Sequence, residues 1–191
     1  MTEARTTLHS AARWSPRAIA ALLLAGTFAA AIHDVSQAWD VWYYHLPFAA
    51  RIWGIVPADA YAFHAANEAR WQGFPLLGEA LQGLAWKLTG HVQAANLVAF
   101  ASVPLFALFL KRVFAVSASL AVIATFAVPL VMTHATSCYV DLPGNACAAA
   151  LVLLVWRAWS SGDPLDARTA IASALLGAVA AGMRFQLLPI V

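Results

Sequence analysis

Five long apolar stretches, separated by more polar segments, set the pattern of this chain. The first runs from about Ala18 to Ile32, and Ser15 followed by Pro16 predicts that its helix begins there. The others cover residues 92–110, 117–133, 139–156 and the stretch after Arg168 up to Val191. A helix needs about 20 mainly apolar residues to cross a bilayer. The pattern therefore predicts an all-α fold: a polytopic membrane helix bundle with about five transmembrane helices.

A more polar segment, residues 34–91, separates the first two apolar stretches. Three short helices fit its pattern. One covers residues 47–56 and is ended by Gly54 and Pro57, one is capped by Asp59 and runs towards residue 71, and one runs from Pro75 to Gly90. All three are too polar to span, so we expect a loop of short helices that lie in the membrane interface.

The third of these helices has two distinct faces. Its leucines form one apolar stripe at helical spacing: Leu77, Leu81, Leu84 and Leu88. Its polar residues lie off that stripe: Glu79, Gln82 and Lys87. We therefore expect Glu79, like Glu68 in the preceding helix, on a solvated face.

Composition narrows the class of protein. The 191 residues are 62% hydrophobic and only 10% charged, whereas a soluble domain carries about 25% charged residues. We therefore expect one transmembrane domain over residues 1–191, with lipid as its solvent. The formal net charge of +2 is too small for an electrostatic nucleic-acid binder. The two cysteines predict no disulfide framework.

The distribution of Lys and Arg predicts the orientation. A cytoplasmic N-terminus places seven of the 11 basic residues inside: Arg5, Arg13, Arg17, Lys111, Arg112, Arg157 and Arg168. Only three lie in the loop 34–91: Arg51, Arg70 and Lys87. We therefore expect a multi-pass protein of a bacterial inner membrane with this loop in the periplasm. A cleaved signal peptide is the alternative interpretation of the first stretch.

The chain ends on the apolar run Leu187–Val191 without a polar flank. Helices that reach a membrane surface normally meet polar or aromatic residues there. This ending predicts that the sequence is the N-terminal part of a longer protein.

The densest candidate chemistry directly follows the first stretch, in the aromatic segment 39–47. Asp40 lies there among Trp and Tyr residues, and Tyr44 and His45 follow it. A carboxylate in partly dry surroundings is costly unless it is paired or used, so Asp40 is a candidate general base. Tyr44 and His45 are candidate substrate-binding residues. An interfacial cap within a belt of aromatic residues is the alternative interpretation.

Two further charges are predicted on the same side of the membrane. Asp141 begins the fourth stretch, where it either caps the helix with Pro143 or shares a substrate or a divalent cation with Asp40. Arg184 lies in the outer half of the fifth stretch, where it either holds a phosphate or extends to the headgroups. Four other histidines show no zinc-ligand spacing and are interpreted as interfacial polar residues: His33, His64, His91 and His134.

The order of these motifs resembles that of the GT-C membrane glycosyltransferases, in the group of protein O-mannosyltransferases and aminoarabinose transferases. The resemblance rests on Asp40-x-x-x-Tyr44-His45-Leu46-Pro47, on Pro75-x-x-Gly78-Glu79, on an apolar span beginning near Asn96, on Tyr139-x-Asp141-Leu142-Pro143 and on Gly182-x-Arg184. It covers the chain from about residue 15 to the end.

The resemblance implies transfer of a sugar from a polyprenyl-phosphate carrier, with inversion, to a hydroxyl acceptor on a lipid, glycan or protein at the periplasmic face. It implies that Asp40 is the catalytic residue, that Asp141 is a second acid of the site and that Arg184 contacts the lipid phosphate. Many members have an acidic pair in the first loop, whereas Val41 follows Asp40 here.

A non-enzymatic membrane protein, such as a transporter fragment or an assembly subunit, is the competing hypothesis. It predicts ionisable groups near the middle of the bilayer and an internal repeat. The acids cluster instead towards one membrane face and the sequence contains no repeat, which favours the enzyme. A polymerase or ligase that uses similar lipid-linked substrates is a third hypothesis.

Overall fold

The computed structural model describes residues 2–33, 38–162 and 166–189. These residues are mostly helical and include no strand, which confirms the predicted all-α class. The first residues of the predicted loop, 34–37, and the last two residues of the fifth stretch lie outside the described parts.

The long first helix, α1, covers Thr2–His33. Its residues Ser15–His33 form a candidate membrane span, as the apolar pattern predicted. The predicted beginning at Ser15 is wrong, since Pro16 lies inside the helix. A proline in a helix interior removes one backbone hydrogen bond and crowds the preceding turn, but α1 continues through Pro16.

Five short helical segments follow α1 in the described chain before the turn that leads into the next span. A π-helical turn, Val41–His45, leads into α2, Leu46–Trp53. A 3₁₀ turn, Ala58–Tyr61, is followed by α3, Ala65–Gly73, and by α4, Leu77–Thr89. Left-handed Gly54 and Gly90 end α2 and α4, as predicted. Asp59 does not cap α3, because this helix begins later and the His64 ring accepts a hydrogen bond from the Ala66 N–H.

The remaining helices form hairpins. A 3₁₀ turn, Val92–Asn96, leads into α5, Leu97–Phe114, which is followed by the short helices α6, Ala118–Phe126, and α7, Pro129–Ala135. The last two helices, α8, Asp141–Ser161, and α9, Ala167–Met183, pack along each other. A final 3₁₀ turn covers Phe185–Leu187.

In the described parts, three helices are long and apolar enough to cross a membrane, and a fourth span is added if α6 and α7 count together. The third predicted span is not one straight helix, because α6 and α7 meet at an angle of 98°. Val128, which precedes Pro129, is extended, with φ −89° and ψ 109°. A proline disfavours the helical conformation in the residue before it, which explains the break. The α9 helix is a shorter apolar helix.

A chain of hydrogen bonds joins four elements at one end of the bundle. The Asn96 side-chain N–H donates to the Ala31 carbonyl near the end of α1 (2.9 Å), and the Cys138 thiol donates to the Asn96 side-chain oxygen (3.0 Å). The Gln82 amide of α4 donates to the Cys138 carbonyl (2.6 Å). The end of α1 and the residues that precede α8 are therefore held at the same end of the bundle.

The α4 helix packs with its polar side inwards. Glu79 and Gln82 are buried, whereas Leu81 and Leu88 of the apolar stripe are exposed. The expectation that Glu79 is solvated is wrong. In a bundle that faces lipid, an apolar stripe can lie outside and the polar groups can satisfy each other inside.

Candidate functional site

The aromatic segment, residues 39–47, supplies the first side chains of the candidate site. Within the π-helical turn, Val41 and His45 are buried, and Tyr44 is half-buried. The Tyr44 hydroxyl donates a hydrogen bond to the Asp40 carboxylate, and burial together with this neighbouring charge raises the pKa of Tyr44 to about 12. Tyr44 is therefore a neutral phenol at physiological pH. The charge of Asp40 also raises the pKa of Tyr139, after the larger effect of burial.

Asp141 and Arg184 form an ion pair between the first residue of α8 and the residue that follows α9. Both side chains are partly exposed, at 21% and 34%. The predicted position of Arg184 within the fifth span is wrong, since the helix ends at Met183 and Arg184 is extended, with φ −151°. A guanidinium is costly in lipid, and here it meets a carboxylate at the end of the bundle.

His45 and Glu79 form a second pair, which is buried. The Nδ1 atom of His45 lies 2.7 Å from Oε1 of Glu79, and the two side chains are 4% and 3% exposed. The second carboxylate oxygen of Glu79, Oε2, has no hydrogen-bond partner among the described residues. This contact holds the imidazole of His45 in place, and the binding of substrate by His45 stays a prediction.

A small polar cavity lies where these pairs meet. It has a volume of about 40 Å³, which is room for about one water-sized group. Its polar lining consists of Tyr44, His45, Glu79, Asp141, Arg184 and Gln186. Its apolar lining consists of Phe74, Pro75, Val140, Met183 and Phe185. The cavity thus gathers four of the five predicted site residues, and Asp40 is joined to it through Tyr44.

A large apolar groove adjoins this cavity. It runs between α4, α5, α8 and α9 and has a volume of about 630 Å³, within the rough range of 300–1,000 Å³ that is usual for ligand pockets. Leu88, Phe106 and Ala146 are among its lining residues. Met183 lines both the groove and the polar cavity, so one side chain separates the two spaces.

Comparisons with known proteins give no family. No family model, curated protein or solved structure matches this chain.

Within the described residues, no group of three or more His, Cys, Asp and Glu side chains is placed to hold a metal ion. Asp141 is paired with Arg184. A divalent cation shared by Asp40 and Asp141 stays a prediction.

Glu79 is the site residue that the amphipathic pattern missed. The pattern placed it opposite the leucines of α4 but did not say which face points inwards. The signal that could have found it is the Pro75-x-x-Gly78-Glu79 motif, because Gly78 allows close packing there. A Cβ at Gly78 would lie 2.3 Å from Val140 Cγ1.

Proposed function

We propose that this chain is a membrane glycosyltransferase of GT-C type, which moves a sugar from a polyprenyl-phosphate carrier to a hydroxyl acceptor. It acts at the periplasmic face of a bacterial inner membrane, with its N-terminus in the cytoplasm. About five transmembrane helices, including α9 and the bent pair α6–α7, form the bundle, and the short helices α2 to α4 lie in the interface. One observation carries the proposal: a polar cavity with an Asp–Arg pair adjoins an apolar groove at Met183.

The groove suits the hydrocarbon chain of the carrier. Its lining is almost entirely apolar, and large side chains beside it, such as Leu88 and Leu105, are exposed, at 77% and 63%. A soluble protein rarely leaves so continuous an apolar surface open, and such surfaces mark ligand or membrane contacts. A polyprenyl chain can enter from the lipid between α4 and α5 and extend towards Met183.

The phosphate of the carrier then reaches Arg184. A guanidinium binds phosphate oxygens through two parallel N–H donors. Asp141 is the ion-pair partner of this guanidinium, so the phosphate either replaces the carboxylate or shares the guanidinium with it. Arg184 also stabilises the negative charge that the phosphate gains when the sugar leaves.

Asp40 is the general base of the transfer. The acceptor oxygen attacks the anomeric carbon of the sugar, the bond from that carbon to the phosphate oxygen breaks, and the acceptor proton passes to the Asp40 carboxylate. The polyprenyl phosphate leaves with the bonding electron pair, and the configuration at the anomeric carbon inverts. Tyr44, kept neutral by its raised pKa, orients the Asp40 carboxylate through its hydrogen bond.

The position of the charges favours this enzyme over a transporter or an assembly subunit. The middle parts of the five apolar stretches carry no Asp, Glu, Lys or Arg, whereas Asp40, Asp141 and Arg184 lie at one end of the bundle. A transporter places its ionisable groups near the middle of the bilayer. The non-enzymatic hypothesis therefore explains the helices but not the polar cavity at their end.

A transfer assay tests the proposal. Membrane vesicles that contain the full chain receive radiolabelled polyprenyl-phosphate hexoses and pentoses, and the label is followed from the carrier into other products. We expect Asp40→Asn to lower the transfer rate by a factor of about 10² to 10⁴ at unchanged amounts of inserted chain.

Asp59→Asn is the matched control, because Asp59 is an exposed carboxylate of the same segment outside the cavity, and it should transfer as the unmodified chain does. Absence of transfer with every donor, or transfer by Asp40→Asn close to that of the control, would contradict the proposal.

A further inference from the structure

We infer that Glu79, held in place by His45, binds a hydroxyl group of the transferred sugar and so helps to select it. This inference rests on the proposed function. Glu79 is 2% exposed and lines the polar cavity. Its carboxylate oxygen Oε2 has no hydrogen-bond partner in the described parts of the chain. Buried polar atoms without a partner are rare and costly.

The packing around Glu79 fixes the position of this oxygen. The contact of 2.7 Å with His45 engages Oε1, so the carboxylate cannot turn without losing it. The His45 ring itself packs near Tyr44 and Tyr139, with centroid distances of 4.3 and 6.1 Å. The π-helical turn and α4, which are distant in sequence, thus hold Oε2 of Glu79 next to the cavity as an acceptor without a partner among the described residues. This is the arrangement of a preorganised binding group rather than of a core contact.

The neighbouring residue brings α4 close to the cavity. A Cβ at Gly78 would lie 2.3 Å from Val140 Cγ1 and 3.2 Å from Met183 Sδ. Only glycine permits this approach of α4 to the chain segment before α8 and to the end of α9. Glu79 is therefore carried against the same wall that holds Asp141 and Arg184.

The chemistry of the lining selects the kind of group that Glu79 binds. A carboxylate oxygen accepts hydrogen bonds and repels phosphate, so the phosphate belongs at Arg184 and a donor group belongs at Glu79. The cavity of about 40 Å³ admits a single hydroxyl. A sugar joined to a phosphate at Arg184 presents hydroxyls at short range, while its ring lies towards Phe74 and Phe185, whose centroids are 5.7 Å apart.

The test compares two kinds of probe on the full chain in lipid nanodiscs. One is polyprenyl phosphate alone, and the other is a set of its glucose, mannose, galactose and arabinose esters. The unmodified chain should bind one ester more tightly than polyprenyl phosphate. Glu79→Gln should weaken the binding of that ester by about tenfold to a hundredfold, the range for a hydrogen bond to a charged group. It should leave the binding of polyprenyl phosphate unchanged.

Glu68→Gln is the matched control, because Glu68 is a carboxylate of the same segment, paired with Arg51 at 2.7 Å and absent from the cavity lining. Glu79→Asp keeps the charge but shortens the side chain. It should weaken the binding of the ester less than Glu79→Gln does. Monodeoxy forms of the ester identify the hydroxyl that Glu79 binds. Removal of that hydroxyl should weaken binding to the unmodified chain but should not further weaken binding to Glu79→Gln.

Two results overturn the inference while leaving the proposed function in place. In the first, Glu79→Gln weakens the binding of polyprenyl phosphate and of the esters equally, which indicates a structural role. In the second, Glu79→Gln still binds the ester more tightly than polyprenyl phosphate by the same factor as the unmodified chain. Failure of the unmodified chain to bind polyprenyl phosphate and every ester would contradict the proposed function itself.

Discussion

Arg184 forms an ion pair with Asp141, and the pair joins the end of the last helix to the beginning of the helix before it. The antiparallel packing of α8 and α9 brings these two ends together. The pair lies at the cavity side of Met183, with the apolar groove on the other side of the same residue. A cation is therefore available at the point where a lipid chain in the groove would present its head group.

Removal of the cation should weaken the binding of the lipid phosphate. We expect Arg184→Gln to raise the Kd for polyprenyl phosphate by about tenfold to a hundredfold, since it removes a hydrogen bond between two charged groups. Arg184→Lys should raise this Kd by a smaller factor, because lysine keeps the positive charge but lacks the paired N–H donors. Binding is measured by titration in nanodiscs. Arg168→Gln, at the exposed start of α9, serves as control, and an equal loss in both variants would argue against a phosphate site at Arg184.

The pKa of Tyr44 reports on the geometry of the site independently of any substrate. Asp40 raises this pKa and Arg184 lowers it, in addition to the larger effect of burial. Asp40→Asn should therefore lower the pKa from about 12, and Arg184→Gln should raise it. The measurement is an alkaline titration of phenolate absorbance, with Tyr44→Phe to assign the signal. A pKa that moves in the same direction in both variants would show that the two charges do not act on Tyr44 as described.

The sign of the linked stability change follows from the same shift. The pKa of Tyr44 in the folded chain lies above its ordinary value of 10.0. Its contribution to folding is therefore complete below pH 10 and is lost as the pH rises towards 12. Thermal unfolding of the full chain in detergent should show a smaller alkaline loss of stability in Tyr44→Phe than in the unmodified chain.

Much of the fold could be predicted from composition and periodicity. Apolar stretches of sufficient length indicated the candidate spans around α1, α5 and α8, and Gly54 and Gly90 marked the ends of α2 and α4. The break between α6 and α7 was not predicted, although Pro129 indicates it. A proline within an apolar run is compatible with a kink as well as with two helices, and only the surrounding packing decides between them.

The candidate site was predicted less completely. The alternation of the predicted spans placed Asp40, Asp141 and Arg184 on one side of the membrane, and the structure brings Arg184 to Asp141. The inward direction of Glu79 could not be predicted, because amphipathicity shows that α4 has two faces and not which of them meets the protein. In water the leucines would be buried, whereas in lipid they can face outwards. The contact with His45 is also distant in sequence and leaves no periodic signal.

Close packing of α2 against α4 should make Gly83 intolerant of any side chain. A Cβ at this position would lie 2.4 Å from the Ala49 carbonyl oxygen and 2.4 Å from Trp53 Cδ1. We expect Gly83→Ala to destabilise the full chain by about 1–3 kcal/mol, the usual cost of overpacking. Gly73→Ala is the matched control, because no described atom beyond its own stretch of helix lies within 4 Å of its added Cβ. Thermal unfolding in detergent measures both, and equal stability of the two variants would contradict the described packing.

A bulky side chain in the groove should block the lipid chain without touching the polar cavity. Ala146 lines the groove on α8 and is absent from the cavity lining. We expect Ala146→Trp to weaken binding of polyprenyl phosphate and to leave binding of a short-chain prenyl phosphate nearly unchanged. Ala124→Trp is the control, since Ala124 is an exposed residue of α6 outside the groove. Unchanged binding of the long-chain lipid in Ala146→Trp would exclude the groove as its site.

The most direct measurement is the attachment site of a photoreactive polyprenyl phosphate on the full chain in nanodiscs. The account predicts that a photoreactive group on the isoprene unit next to the phosphate labels Met183 and that one farther along the chain labels groove residues such as Phe106, with unlabelled polyprenyl phosphate as competitor. Labelling that is spread over the exposed residues of α1 and α6, or that polyprenyl phosphate does not compete away, would contradict it.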